Sequence, residues 1–193
     1  MVMSAKLFYL VGASGAGKDT LLSLFRQKYR DTLAFPVLIA HRYITRNSDI
    51  TENSVSVTQA EFQLREQQQL FALSWQANGY DYGIGTEINQ WLDKGVAVIV
   101  NGSREYLPEA KRRYPKQLCS IAIDVPDDIL QQRLQRRDRE DKQQIAARMQ
   151  RHRQLRNSVV VDRTIINLDS SDSGARSLCA IVAEQNNNGL TVA

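Results

Sequence analysis

Two cysteines, Cys119 and Cys179, and two histidines, His41 and His152, are all that the 193 residues offer to soft metals, thiol redox chemistry or imidazole catalysis. The cysteines stand far apart, each in an apolar segment, and read as buried free thiols in a reducing, cytoplasmic setting. The histidines have no ligand cluster about them, so no metal site built from protein side chains alone is expected. No Ser/His/Asp or Cys/His arrangement marks a nucleophile. Long hydrophobic runs are also missing. None approaches the length of a membrane span, and Lys6 breaks up the start as a secretory signal peptide would not. With 42% hydrophobic and 24% charged residues, the composition is that of a soluble globular protein with no membrane partner. One domain over residues 1–185 with a flexible polar tail at 186–193 is the expected organisation.

Acidic residues are outnumbered: the net charge is +4, with arginine concentrated between Arg133 and Arg156. A nucleic-acid surface is one reading of such a cluster. Interleaved aromatics and any familiar nucleic-acid motif are absent, so arginines that grip a polyphosphate fit better, and no nucleic-acid partner is expected.

What is present begins at residue 12. Gly12-Ala13-Ser14-Gly15-Ala16-Gly17-Lys18-Asp19-Thr20 follows the apolar run Leu7–Val11 and precedes the helical pattern Leu21-Leu22-x-Leu24-Phe25. Strand, glycine loop and helix stand in the order of a phosphate-binding P-loop. Glycines let backbone N–H groups converge on phosphate oxygens, the helix N-terminus adds its positive end, and Lys18 adds a mobile charge. ATP is the expected nucleotide, held by Gly12 through Thr20. Asp19 stands where Ser or Thr usually gives Mg²⁺ a hydroxyl. Either it holds Mg²⁺, directly or through water, or it only caps the helix and Thr20 supplies the hydroxyl.

Hydrophobic patterning predicts alternating strands and helices. Strands are expected at Lys6–Val11, Val37–Ala40, Val96–Val100, Leu118–Asp124 and Thr164–Ile166. Helices are expected at Lys18–Tyr29, Glu87–Lys94, Leu107–Arg113, Asp127–Arg137, Gln143–Asn157 and Ala175–Glu184. A polar stretch, Arg42–Ser54, reads as irregular. Val55–Trp75 mixes a short strand, a helix near Gln59–Gln68 and an apolar run, and Asn78–Gly83 reads as a turn. The fold class expected is α/β, a P-loop NTPase fold with a parallel sheet covered by helices. A small acceptor-binding insertion about 42–90 and an arginine-rich helical lid about 133–151 complete it.

Several polar groups have positions that suit anions. Arg42 and Arg46 follow the second strand, where an open parallel sheet presents its ligand face. Tyr82 and Gly83 would bring a phenol and a bare backbone to the same anion, or else only pack. Asn101 stands where P-loop enzymes often place a Mg²⁺-holding Asp, and Arg104 after it is a candidate for the acceptor's phosphate. Arg133, Arg136, Arg137 and Arg139, with Arg148 and Arg151 on the next helix, make a hairpin suited to closing over ATP. Local acids, Asp138, Glu140 and Asp141, would engage some of them. A general base is not evident. A kinase acting on a hydroxyl needs one, whereas a phosphate acceptor is already an oxyanion above a second pKa of about 6.

These residues together resemble the guanylate kinase family, from the P-loop to about Leu178. The matching pieces are Gly12–Lys18, Ile44-Thr45-Arg46, Tyr82-Gly83, Arg133 and Arg137, Ile145-Ala146-Ala147-Arg148 and Thr164–Asn167. The resemblance implies that Thr45-Arg46 and Tyr82-Gly83 grip the acceptor phosphate, that Arg133, Arg137 and Arg148 act from the lid, and that Asn167 lies near adenine. Four departures set the chain apart. Leu73 replaces the Glu that reads guanine, Ile84 replaces a Ser or Thr, Arg42 replaces a Ser, and Asn101-Gly102-Ser103-Arg104 replaces acids after the central strand. Guanine recognition is then not expected, because directed polar groups carry such specificity. The departures look like those of one subgroup, the ribose 1,5-bisphosphate phosphokinases of phosphonate degradation. That likeness implies a phosphorylated sugar substrate and 5-phosphoribosyl 1-diphosphate as product. A nucleoside monophosphate kinase and a silent guanylate-kinase-like binding module are the alternatives.

Overall fold

The computed structural model describes residues 5–46, 53–136, 142–156, 158–168 and 171–188. Strand β1 (Leu7–Val11) is five apolar residues, all buried. Phe8 and Leu10 enter one core layer while Leu7, Tyr9 and Val11 enter the other. A strand covered on both faces has no polar side to alternate with, which is why its sequence is a continuous apolar run. Strands β2 (Val37–Ile39), β7 (Ala97–Asn101), β8 (Leu118–Asp124) and β9 (Arg163–Ile166) join it. All pairings are parallel, in the order β2-β7-β1-β8-β9.

Helix α1 (Lys18–Leu24) continues through a π-helical turn at Phe25–Tyr29. With α5 (Asp127–Arg136), α6 (Lys142–Arg156) and α7 (Ser171–Asn188) it covers the first layer, through Leu21, Phe25, Leu130, Met149 and Leu178. Helices α3 (Glu87–Asp93) and α4 (Leu107–Arg113) cover the other, through Ile88, Leu92, Leu107 and Ala110. Gly95 ends α3 at φ +80°, a backbone conformation in which a Cβ is penalised.

A second sheet was not expected from the patterning. It has the order β4-β3-β6-β5, formed by β3 (Arg42–Ile44), β4 (Ser54–Ser56), β5 (Phe71–Ala77) and β6 (Tyr80–Gly85). Helix α2 (Gln59–Gln67) adjoins it, its first turn held by the Glu61 N–H donating to Thr58 Oγ1 at 3.1 Å. Ala72, Leu73 and Ile84 pack into the layer that already holds Leu7, Tyr9 and Val11, so this sheet extends an existing core.

Three expectations are corrected. Arg42–Ile44, expected irregular, is β3, because its strand partners lie far along the chain. The turn expected over Asn78–Gly83 is only Asn78-Gly79, both with positive φ of 52° and 78°. That is the two-residue turn that matches strand twist, and β6 starts at once. Helix α7 runs from Ser171 to Asn188, longer than Ala175–Glu184, and takes in the first residues of the expected tail. Residues 137–141, between the helices expected at Asp127–Arg137 and Gln143–Asn157, lie outside the described residues.

Candidate active site

Because the five strands are parallel, all end on one edge, and the loops that leave them meet there. The loop after β1 is the P-loop. A Cβ on Gly12 would stand 2.6 Å from the Ile123 carbonyl oxygen, and one on Gly17 would stand 2.6 Å from Asn167 Nδ2. Gly17 also caps α1 at φ 85°. The loop is pinned from behind: Asn167 Nδ2 donates to the Ala16 carbonyl at 2.7 Å. Arg133 donates to the same carbonyl at 3.4 Å, to that of Asn167 at 3.3 Å and to that of Leu168. Lys18 Nζ donates to the Gly12 and Ala13 carbonyls at 2.8 and 3.0 Å, so its ammonium is folded over the loop.

A cleft opens in front of this loop. One wall is Gly12–Gly15 and Gly17–Thr20; Arg42, Trp75 and Tyr82 of the second sheet, with Arg46 just after β3, form another. The floor is Asn101–Glu105, and Arg148, Arg151 and His152 of α6 stand over it. Trp75 and Tyr82 face each other across β5 and β6 as stacked rings, 5.6 Å apart and 3° from parallel. Thr45 fixes the turn that carries Arg46: its N–H donates to the Asp81 carbonyl at 3.2 Å, and its Oγ1 accepts from the Asp81 N–H at 2.9 Å. The floor is held by Tyr9, whose hydroxyl accepts from the Ser103 N–H at 2.9 Å. A Cβ on Gly102 would lie 2.0 Å from the Tyr9 ring, so only glycine permits that support.

Helix α6 is tied to the P-loop wall and to the floor. Arg148 Nη1 donates to Ser14 Oγ at 2.6 Å, and Arg151 makes a two-pronged contact with Glu105 at 2.9 Å to each oxygen. At its root, Arg153 pairs with Asp127 at 2.6 Å and Arg156 with Asp124 at 2.5 Å. His152 is 3% exposed, its nitrogens lack hydrogen-bond partners, and Nε2 lies 3.6 Å from Asp127 Oδ1. Burial holds its pKa below the usual imidazole value, against the pull of Asp127. Burial likewise lowers the pKa of half-buried Arg104, with Asp124 opposing and Arg156 assisting.

The cleft therefore gathers Lys18, Asp19, Thr20, Arg42, Arg46, Tyr82, Arg104 and Arg148 from the expected set. Ala16, Gly83, Arg133 and Asn167 are not on its walls. Gly83 lies against Phe71, whose ring would be 2.5 Å from a Cβ there, so its bareness serves packing. Arg133 and Asn167 support the loop from behind, which makes them positioning groups in this conformation. Arg137 lies outside the described residues. Tyr9, Trp75, Ser103, Glu105 and His152 were not singled out from sequence as site residues. For Tyr9 no local signal exists, since it reads as an ordinary core aromatic.

Among the described residues, no three His, Cys, Asp or Glu side chains come together as a metal cluster. Oxygen donors suited to a hydrated Mg²⁺ are nevertheless on the cleft: Asp19, Thr20 and Asn101. Asn101 is 3% exposed and its Oδ1 has no hydrogen-bond partner, an acceptor left for a donor such as metal-bound water. Asp19 does not cap α1 by a side-chain bond; the cap position is Gly17.

No family model matches the chain. The chain is 49% identical over 166 residues to ribose 1,5-bisphosphate phosphokinase PhnN of Pectobacterium parmentieri, covering 85% of this chain and 86% of that protein. It is 52% identical over 148 residues to the ribose 1,5-bisphosphate phosphokinase of Yersinia pestis, covering 76% and 75%. Among solved structures it is similar to guanylate kinase from Anaplasma phagocytophilum, with a TM-score of 0.70 at 17% identity over 95% of this chain and 87% of that one. That last likeness is one of fold, a P-loop kinase fold.

Proposed function

The chain belongs to the ribose 1,5-bisphosphate phosphokinase family, and on that premise we propose that it phosphorylates the 1-phosphate of ribose 1,5-bisphosphate. An oxygen of that phosphate attacks the γ-phosphorus of ATP, the bond from γ-phosphorus to the β–γ bridging oxygen breaks, and ADP and 5-phosphoribosyl 1-diphosphate leave. The observation that carries the reading is the charge of the cleft. Its described walls hold Lys18 and five arginines, 42, 46, 104, 148 and 151, against two carboxylates, Asp19 and Glu105. Bringing two polyanions together is the main barrier in such a transfer, and fixed cations lower it.

Lys18 and Arg148 neutralise the transferring group from the loop and lid sides. Arg42, Arg46, Arg104 and Tyr82 hold the acceptor, the arginines as paired donors matched to phosphate oxygens. Arg133 and Asn167 keep the loop in shape, with adenine near Asn167. Asp19, with Thr20 and Asn101, is the place for Mg²⁺, which supplies Lewis-acid neutralisation of the phosphate oxygens. No side chain is needed as base, because the acceptor is already ionised. Residues about 42–90 serve as the acceptor region and about 133–151 as the lid of one kinase domain. The reaction belongs to phosphonate metabolism in the cytoplasm. No helix among the described residues is long and apolar enough to cross a membrane. Phosphorus NMR of the product tests the reading. A new diphosphate at the sugar C1, with ADP in equal amount, is the expected result; ADP formation without it would refute the transfer.

A further inference from the structure

Asp19, which departs from the usual P-loop pattern, and Arg42 and Asn101, which depart from the guanylate kinase pattern, meet at one oxygen atom. Asp19 Oδ1 accepts from Asn101 Nδ2 at 2.9 Å and from Arg42 Nη2 at 3.3 Å. Asp19 belongs to the first turn of α1, beside Lys18; Arg42 belongs to β3, in the sheet across the cleft. Asp19 is 35% exposed at its side chain and Arg42 12%, and both line the cleft. The phosphate-loop carboxylate and an acceptor-side guanidinium are thus counter-ions of each other.

We propose that the Asp19–Arg42 ion pair couples the two halves of the site, so that acceptor phosphate and nucleotide-bound Mg²⁺ each strengthen the other's binding. The inference rests on the phosphate-acceptor reading given above. An acceptor dianion drawn to Arg42 takes up part of the positive charge that neutralises Asp19. The carboxylate beside the β- and γ-phosphates is then under-compensated, and a divalent cation is the group that relieves it. The converse holds equally. Mg²⁺ held by Asp19, directly or through water, releases Arg42 to the acceptor, because binding free energies couple reciprocally. Asn101 orients the carboxylate through its amide and keeps Oδ1 for a donor such as metal-bound water. A Ser at position 42, as the guanylate kinase pattern has, or at position 19, as P-loops usually have, would remove the pair and with it this route of coupling.

The test is calorimetric titration of MgCl₂ into the full chain saturated with the non-transferable β,γ-imido analogue of ATP. It is run alone, with ribose 1,5-bisphosphate, and with inorganic phosphate, for wild type, Asp19→Asn and Asp19→Ser. Two variants are used so that a folding defect in one, seen by circular dichroism, leaves the other to report. In the wild type the apparent Mg²⁺ Kd falls about fivefold or more with either acceptor, the lower end of ordinary allosteric couplings. In the variants the change shrinks to about twofold or less. A wild-type Kd that ignores the acceptor, or an equal fall in the variants, overturns the coupling. Binding of neither acceptor overturns it too, since Arg42 then meets no phosphate. If inorganic phosphate couples and the sugar bisphosphate does not bind, the substrate reading falls and the coupling stands.

Discussion

On the proposed reading Lys18 and Arg46 address different phosphates, and their variants separate the two. Lys18 Nζ already rests on the Gly12 and Ala13 carbonyls, where a γ-phosphate would draw it forward. Lys18→Ala lowers kcat about 100-fold or more, the scale of one lost transition-state donor. Its circular dichroism spectrum does not change, and steady-state rates near wild type would remove the lysine from the chemistry. Arg46 stands across the cleft, so Arg46→Ala costs about 1.5–3 kcal/mol, or about 10- to 150-fold in kcat/KM for the acceptor. ATP affinity measured by titration stays within about twofold. A collapse of ATP binding instead would move Arg46 to the other ligand. The P-loop was legible in the sequence because its chemistry is local: Gly12–Thr20 carries the glycines and the lysine, and the strand and helix patterns adjoin it directly. The Asp19–Arg42 contact was not legible, since it joins an α1 turn to a strand of another sheet, and neither residue's neighbours point to the other. Tyr9 was hidden for a different reason, its hydroxyl serving the floor of the cleft from within an otherwise apolar strand.

At the scale of elements, the hairpin of β5 and β6 explains why a guanine-reading Glu has no place here. Leu73 and Ile84 are paired across the two strands, and both are fully buried. Their side chains fill the layer under the second sheet. Leu73→Glu puts an uncompensated carboxylate into that layer, at a cost of about 3–5 kcal/mol. For a chain of this size that lowers Tm by about 6–20 °C, and no GMP phosphorylation appears. A soluble, undestabilised variant active on GMP would show that the position opens onto the acceptor. The lid helix gives a pH test. His152 is buried among Asp127, Asp124, Arg104 and Arg156, with its pKa held below the ordinary 6.5 by burial. The unfolded chain therefore binds the proton first as pH falls. The stabilisation is present above about pH 6.5 and is lost below it. Thermal melts of wild type and His152→Asn at pH 5–7.5 should show a steeper acid loss in the wild type; parallel curves would contradict the assignment. Here too legibility had a physical limit. Apolar runs announced the parallel strands, whereas β3 is only three residues long and paired with segments elsewhere in the chain, and the tyrosines, aspartate and glycines of β6 read as a turn.

Across the whole molecule, the parallel sheet positions one end of the cleft and the smaller sheet the other, and the lid arginines reach both. The central claim is that this arrangement serves a doubly phosphorylated sugar and not a nucleotide base. The second sheet presents Arg42 and a Trp75–Tyr82 stack to the cleft, with Arg46 just after β3 and apolar Leu73 and Ile84 beneath. Loss of directed polar contacts removes base selectivity, since those contacts carry most of the discrimination in such pockets. The most direct measurement is kcat/KM with ATP and Mg²⁺ for ribose 1,5-bisphosphate and for GMP, under one set of conditions in a coupled ADP assay. The account predicts a value for the sugar bisphosphate at least about 100-fold above that for GMP. A value for GMP equal to or above it would contradict the account.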